Sequence, residues 1–320
     1  MKKFLHFLWG TCVIMLLSIF IPAQSIAQYV SGPSYAEIGV TAGPSNFLGD
    51  LGGHLGKGTP FLKDNNFNLT KLMVGAHISY YAKDWLGFRL AVNIGKLEGD
   101  DAVIKGKGGL EEARRARNLN FQSKLQEAIL VAEVFPTVFM EEDASDVYHK
   151  LRPYGIIGVG VFHFNPQGYN YTTGQWVDLQ PLHTEGQGFL PGTKNYSLWQ
   201  MNIPMGAGIK YWLSENVSLA LEVIHRKTFT DYIDDVSTNY VDPQIFYNNF
   251  PTPGQAALAA HMADKSNGGL GGDPNYGVGK KRGDPKQNDA YYSFGFKLGI
   301  RLNGGDRSLR NSTRCPILRF

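Results

Sequence analysis

The 320-residue chain is predicted to be all-β: an eight-stranded antiparallel transmembrane barrel of the outer-membrane type, with long extracellular loops and short periplasmic turns. Three observations predict it. In Tyr291–Leu302 every second residue (Tyr292, Phe294, Phe296, Leu298, Ile300, Leu302) is apolar or aromatic, and Ser293, Gly295, Lys297, Gly299 and Arg301 stand between them. Side chains alternate across a strand, so one face is wholly apolar and the other small or charged, as in a wall between lipid and a polar lumen. Beyond the N-terminal leader, no segment offers the ~20 apolar residues that a membrane helix needs. The connections between candidate strands alternate long and short, which a barrel with outer loops and inner turns produces and a sandwich has no reason to produce.

The strands follow in order. The first is Tyr35–Ala42, with Ala36, Ile38 and Val40 on one face. The second, Lys71–Ala82, presents Leu72, Val74, Ala76, Ile78 and Tyr80. Only Lys83-Asp84 separates it from the third, Trp85–Lys96, where Leu86, Phe88, Leu90, Val92 and Ile94 alternate with Gly87, Arg89, Ala91, Asn93 and Gly95. The fourth spans about Phe121–Phe139, long enough to project past a bilayer. The fifth is Arg152–Phe164, whose Gly155, Gly158 and Gly160 suit a crowded wall. The sixth, Leu198–Tyr211, turns through Leu213–Asn216 into the seventh, Val217–Arg226. The eighth is the terminal stretch, and eight is an even number, as bacterial single-chain barrels require.

Eight strands leave an interior just filled by side chains. The inward positions supply Glu37, Arg89, Glu222, Lys297 and Arg301, of both signs, and isolated buried charge is expensive. A lumenal ion-pair network that plugs the barrel is expected. Tyr29, Trp85, Tyr211 and Trp212 fall where amphipathic rings favour a membrane–water edge.

Met1-Lys2-Lys3, an apolar run to Ile21, Pro22 and Ser25-Ile26-Ala27 predict a secretory leader over 1–27, with the barrel over 28–302 and a periplasmic tail over 303–320. Cys12 leaves with the leader, and the remaining Cys315 has no partner within the chain. In an oxidising compartment a leftover cysteine points to an intermolecular disulfide or a free thiol. Arg307, Arg310, Arg314 and Arg319 make the tail basic, suited to an acidic partner or lipid phosphates. The chain's net charge of +3 is too balanced to argue for nucleic acid.

Nothing predicts an enzyme, a cofactor or a metal centre. His163, His183, Asp231 and Ser237 fall near the outer rim, but no spacing ties them together, and neither Gly-x-Ser-x-Gly nor His-Glu-x-x-His occurs. Asp231, Asp234 and Asp235 with Thr230 and Ser237 lack the spacing of a calcium loop, and turn capping explains them. Glu111 and Arg115 at i,i+4 support a short helix in an outer loop. Gly268–Gly283 reads as a flexible part of the longest loop.

Several stretches resemble a known family: Asn46–Leu51, Arg117–Phe121, Arg152–Gly155 with Phe162–Gln167, Trp176–Pro181, Thr184–Gly188 and Arg226–Thr238. Together they are similar to the PorG-like (DUF6089-type) outer-membrane barrel proteins of Bacteroidetes, and the likeness covers nearly all of the chain after the leader. The resemblance implies a non-enzymatic component of the type IX protein secretion system, which in some members supports gliding. It also implies partners, the periplasmic ring of PorK/GldK-like lipoprotein and PorN/GldN-like subunits, and a home in the outer-membrane lipid. On that footing Cys315 with Arg310 and Arg314 would face a ring subunit. The alternative from another class is a stand-alone barrel for ligand binding or small-solute passage.

Overall fold

The computed structural model describes residues 34–51, 67–104, 111–140, 150–266 and 277–302, without the side chains of 111–113. The leader 1–27, Tyr29, residues 141–149 and the tail 303–320 with Arg307, Arg310, Arg314, Cys315 and Arg319 lie outside the described residues.

Nine strands are described: β1 (Tyr35–Leu48), β2 (Lys71–Lys83), β3 (Leu86–Asp100), β4 (Asn120–Val134), β5 (Leu151–Asn170), β6 (Gln175–Asp178), β7 (Trp199–Trp212), β8 (Val217–Thr228) and β9 (Ala290–Arg301). Eight of them close a ring in which each strand pairs antiparallel with its neighbour, β4 with β5, β5 with β7, and β9 back onto β1. β6 is a short hairpin partner of β5 outside that ring. Closure leaves no edge within the ring itself, which is how strands cross lipid with no unpaired backbone. Among the described residues no helix is long and apolar enough to cross a membrane.

The alternation orients the wall. Val40 is 56% exposed, Val92 55% and Phe296 65%, whereas Glu37 between Ile38 and Ala36 is 0% and Lys297 beside Phe296 is 2%. Ile38, Leu90, Leu130, Ile157, Ile209 and Leu221 continue this apolar outer belt around the ring. Tyr292 departs from the expectation. It sits on the belt's parity but is buried, accepting a hydrogen bond from Asn46 Nδ2 at 3.1 Å and packing edge-on against Phe294.

Several strands run further than the sequence predicts, all towards the long-loop end. β1 continues past Ala42 to Leu48, β3 past Lys96 to Asp100, and β5 past Phe164 to Asn170. Pairing explains the extension, since Asp100 meets Asn120 and Gln167 meets both Gln122 and Asp178. β4 stops at Val134 instead of Phe139, because Pro136 opens a 3₁₀ turn, Pro136–Met140.

Above the barrel the loops form a cap. α1 (Glu111–Arg117) is the predicted loop helix. α2 (Gln244–Asn249) and α3 (Pro253–Ala263) pack with Leu179 and Leu182 into a small apolar core around Phe246, Ala259 and Met262. Thr252 caps α3, its side chain accepting the Gln255 amide at 3.3 Å, and Pro253 occupies the first turn, where no amide is needed.

Candidate functional site

The lumen is filled by side chains of the eight ring strands and of the residues that adjoin them. At the short-turn end Tyr35, Tyr81, Trp85, Phe135 and Tyr154 cluster, with Tyr35 stacked on Tyr81 at 4.6 Å. At the long-loop end Phe47, Phe121, Phe162, Phe164, Tyr196 and Tyr291 form a second apolar plug.

Between the plugs lies a charge network. Arg89 in β3 directs Nε at Glu133 (3.2 Å) and Nη1 at Glu222 (2.8 Å). Lys297 in β9 also reaches Glu133 at 2.8 Å, and the hydroxyls of Tyr81 and Tyr154 donate to Glu133 and Glu222 at 2.7 and 2.9 Å. Lys210 Nζ donates to Glu37 at 2.6 Å and to the Tyr81 hydroxyl at 3.0 Å, joining β1 to the same web. A little higher, Arg226 pairs with Glu127 at 2.7 Å, and Glu127 also accepts from Asn93 and Tyr291. Four carboxylates therefore meet four cations among the described residues, each at most 5% exposed. A buried charge persists only when paired and hydrogen-bonded. The void beside Arg89, Asn93, Glu222 and Arg226 holds about 20 Å³, room for roughly one water.

Of the residues that the sequence assigned to the lumen, Glu37, Arg89, Glu222 and Lys297 stand in this network. Arg301 does not join its ion pairs. It lies at the short-turn mouth against the rings of Tyr35 (3.8 Å) and Trp212 (4.5 Å), which meet edge to face, a cation–π position that needs no carboxylate. Trp212 is accordingly a lid over Arg301 and Lys210 instead of a lipid-edge ring. Sequence reasoning missed Glu127, Glu133, Lys210 and Arg226. Arg226 shares the parity of Glu222, so two-residue counting along β8 would have found it, whereas β4 is apolar on both faces and gives Glu127 and Glu133 no such signal.

The cap is tied down by buried ion pairs of its own. Arg117 pairs with Asp101 at 2.7 Å and donates to the carbonyls of Asp50 and Arg282. Arg282 pairs with Glu185 at 2.8 Å, and Glu185 also accepts the amides of Ser237 and Thr238. The expectation of a flexible Gly268–Gly283 thus fails at its end, since Arg282 is buried beneath the cap; residues 267–276 lie outside the described residues. Asp235 accepts from Thr184 and from the Tyr196 hydroxyl, and its burial raises it to about 6 against the pull of Arg282. Burial raises Asp231 to about 8, helped by the charges of Asp50 and Glu185 and opposed by Ser237. Asp234 takes the Leu51 and Val236 amides, and among the described residues no three His, Cys, Asp or Glu side chains converge to hold a metal ion.

The rim histidines are apart from any such chemistry. His163 packs on Trp199 outside the barrel, and His183 on Phe189 and Phe250 within the cap.

A family described as a domain of unknown function, DUF6089, matches residues 12–246. The chain belongs to that family. The DUF6089 match takes in β1 to β8 and most of the cap's pinning residues; α3, Arg282 and β9 follow it. No curated protein matches the chain. Among solved structures it is similar to a major outer membrane protein from Thermus thermophilus (13% identity, TM-score 0.37, 83% of this chain and 99% of that one). It is also similar to the outer membrane protein OprG from Pseudomonas aeruginosa (11%, 0.33, 85% and 98%). A third is Ail, the attachment invasion locus protein of Yersinia pestis, in complex with a heparin analogue (7%, 0.34, 84% and 99%). For this DUF6089 protein the barrel itself rests on its own strand pairing and its apolar belt.

Proposed function

We propose that this chain is a non-enzymatic outer-membrane component of the type IX protein secretion system, anchoring the periplasmic ring to the membrane. The reading draws its system from the likeness of Trp176–Gly188 and Arg226–Thr238 to PorG-like proteins. The observation that carries the mechanical half is the filled lumen: four buried carboxylates paired with four cations between two aromatic plugs leave no path for solute, so the surfaces of the barrel do the work. A rigid wall with a pinned cap suits a fixed support. The surfaces offered to PorK/GldK-like and PorN/GldN-like subunits are the short turns, above all 141–150, and the basic tail with Arg310, Arg314 and Cys315. Stand-alone solute passage is disfavoured by the same filled lumen.

Native membranes of the host, run on a non-reducing gel beside a Cys315→Ser strain, test this directly. The expected result is a high-mass band containing a ring lipoprotein that disappears in the mutant. Crosslinked affinity purification of the full chain that recovers no ring subunit from either strain would sink the proposal.

A further inference from the structure

The outer wall changes character above the lipid belt. On β3 and β5 the last exposed apolar residues are Ile94 and Val161, and beyond them the same face is polar. Gln122 of β4 donates to Gln167 of β5 at 2.9 Å, and Gln167 and Asn165 both donate to Asp178 of β6. At the top of this wall lies a cleft of about 210 Å³ lined by Glu98, Asp100, Asn120, Tyr169, Tyr171 and Trp176. Glu98 and Asp100 are four and six residues past Ile94. At about 3.3 Å per residue and a tilt near 45°, the cleft stands roughly 9–14 Å above the hydrocarbon.

The walls are aromatic and set at angles: Tyr169 meets Trp176 at 62° and Tyr171 at 80°, with centroids 5.3 and 5.2 Å apart. Trp176 is 37% exposed and Tyr171 53%, so both rings present an apolar face at the surface. Asp100 spends one oxygen on the Ala102 amide, leaving the other available, and Tyr171 accepts from Asn120 while keeping its own proton to donate. Charges of both signs already surround the cleft, and Lys71 and Glu98 neutralise each other. Lys71 pairs with Glu98 at 2.5 Å, Lys96 Nζ lies 5.8 Å from the Trp176 centroid, and Lys265 Nζ donates to Asn120 and to the Tyr169 carbonyl. Three lysines repel an added cation, and two carboxylates repel an added anion. What remains favoured is a neutral ring with one C–H face to lie on an indole and hydroxyls for a carboxylate and a phenol.

We infer that this cleft binds a pyranose ring in the saccharide headgroup of an outer-leaflet glycolipid. The volume admits one sugar ring, and the height is that of the first sugars above the lipid surface. The barrel would thereby hold glycolipid on its β3–β6 side, independently of what its short turns contact.

The test uses the full chain in detergent micelles and saturation-transfer NMR. Its probe is the core oligosaccharide released by mild acid from a rough-type lipopolysaccharide. Saturation is expected on pyranose ring protons and should fall about tenfold or more in Trp176→Ala. Tyr171→Phe and Asp100→Asn, which keep the ring and the turn cap, should each reduce it about threefold. Heat-modifiable migration on gels checks that all variants stay folded. In phospholipid nanodiscs the protein should retain intact rough lipopolysaccharide in preference to lipid A alone, and Trp176→Ala should lose that preference. Retention of rough lipopolysaccharide and of lipid A that Trp176→Ala leaves unchanged would overturn the glycolipid source. Undiminished sugar saturation in Trp176→Ala would overturn the cleft, as would tetramethylammonium binding there with no sugar signal.

Discussion

Arg89 holds two carboxylates at once, Glu133 on the neighbouring strand β4 and Glu222 on β8. Removing one partner of a buried pair leaves an uncompensated charge and costs about 3–5 kcal/mol. Arg89→Met is therefore expected to lower unfolding stability by about that amount, read as a shift in the urea midpoint in micelles, whereas Lys227→Met on an exposed site should be near neutral. Gly299 belongs to the same economy of space, because a Cβ there would stand 2.5 Å from Glu37 Cδ. Asp231 sets a pH dependence in the cap. Its folded pKa, about 8, lies well above the ordinary aspartate value of 3.8. A raised carboxyl favours the fold when protonated, so that support is complete below the unfolded pKa and is lost as pH climbs through about 8. Asp234 and Asp289, also raised by burial, act in the same direction. The protection of amides over 229–240, with intrinsic base-catalysed exchange divided out, should fall between pH 6 and pH 9, and Asp231→Asn should flatten that fall. A wild-type profile without a slope would contradict the assignment. At this scale Glu37, Arg89, Glu222 and Lys297 were legible, because each interrupts an apolar alternation. Which cation meets which acid was not, since partners such as Arg89 and Glu222 are 133 residues apart.

β3 shows what an element can reveal by itself. Phe88, Leu90, Val92 and Ile94 are exposed, and the intervening Arg89, Ala91 and Asn93 are buried. Val92→Arg is expected to cost about 2–4 kcal/mol in lipid, the range for a basic residue near the midplane, and to slow folding into vesicles. The same change at Lys124, on the polar upper wall, should be silent. β4 was harder to read. Its lumen face carries Leu125, Ile129 and Val131 beside Glu127 and Glu133, while its outer face carries Ala128, Leu130 and Ala132. Both faces are largely apolar, so the two-residue period assigns neither to lipid. Strand ends were also illegible: β1, β3 and β5 continue above the membrane because their neighbours pair there, and β6 exists only as a partner to that extension.

As a whole molecule the barrel is a closed wall around a salt-bridged, ring-plugged interior, pinned above by Arg117 and Arg282. Liposomes carrying it should show no sugar or amino-acid flux above empty vesicles, and flux through the wild-type chain would revive the solute-passage alternative. From the sequence alone came the count of ring strands, the lipid-facing side of strands such as β2, β3 and β9, the alternation of loops and the presence of lumenal charges of both signs. All of these are local: a period of two, a turn residue or a loop length is written in neighbouring positions. The tertiary structure alone decided the pairing inside the lumen, the displacement of Arg301 to the rings of Tyr35 and Trp212, the cap and the aromatic cleft. Each of those joins residues far apart in the sequence, and for the lumenal pairs closure of the sheet, through register and curvature, is what brings them within hydrogen-bond reach.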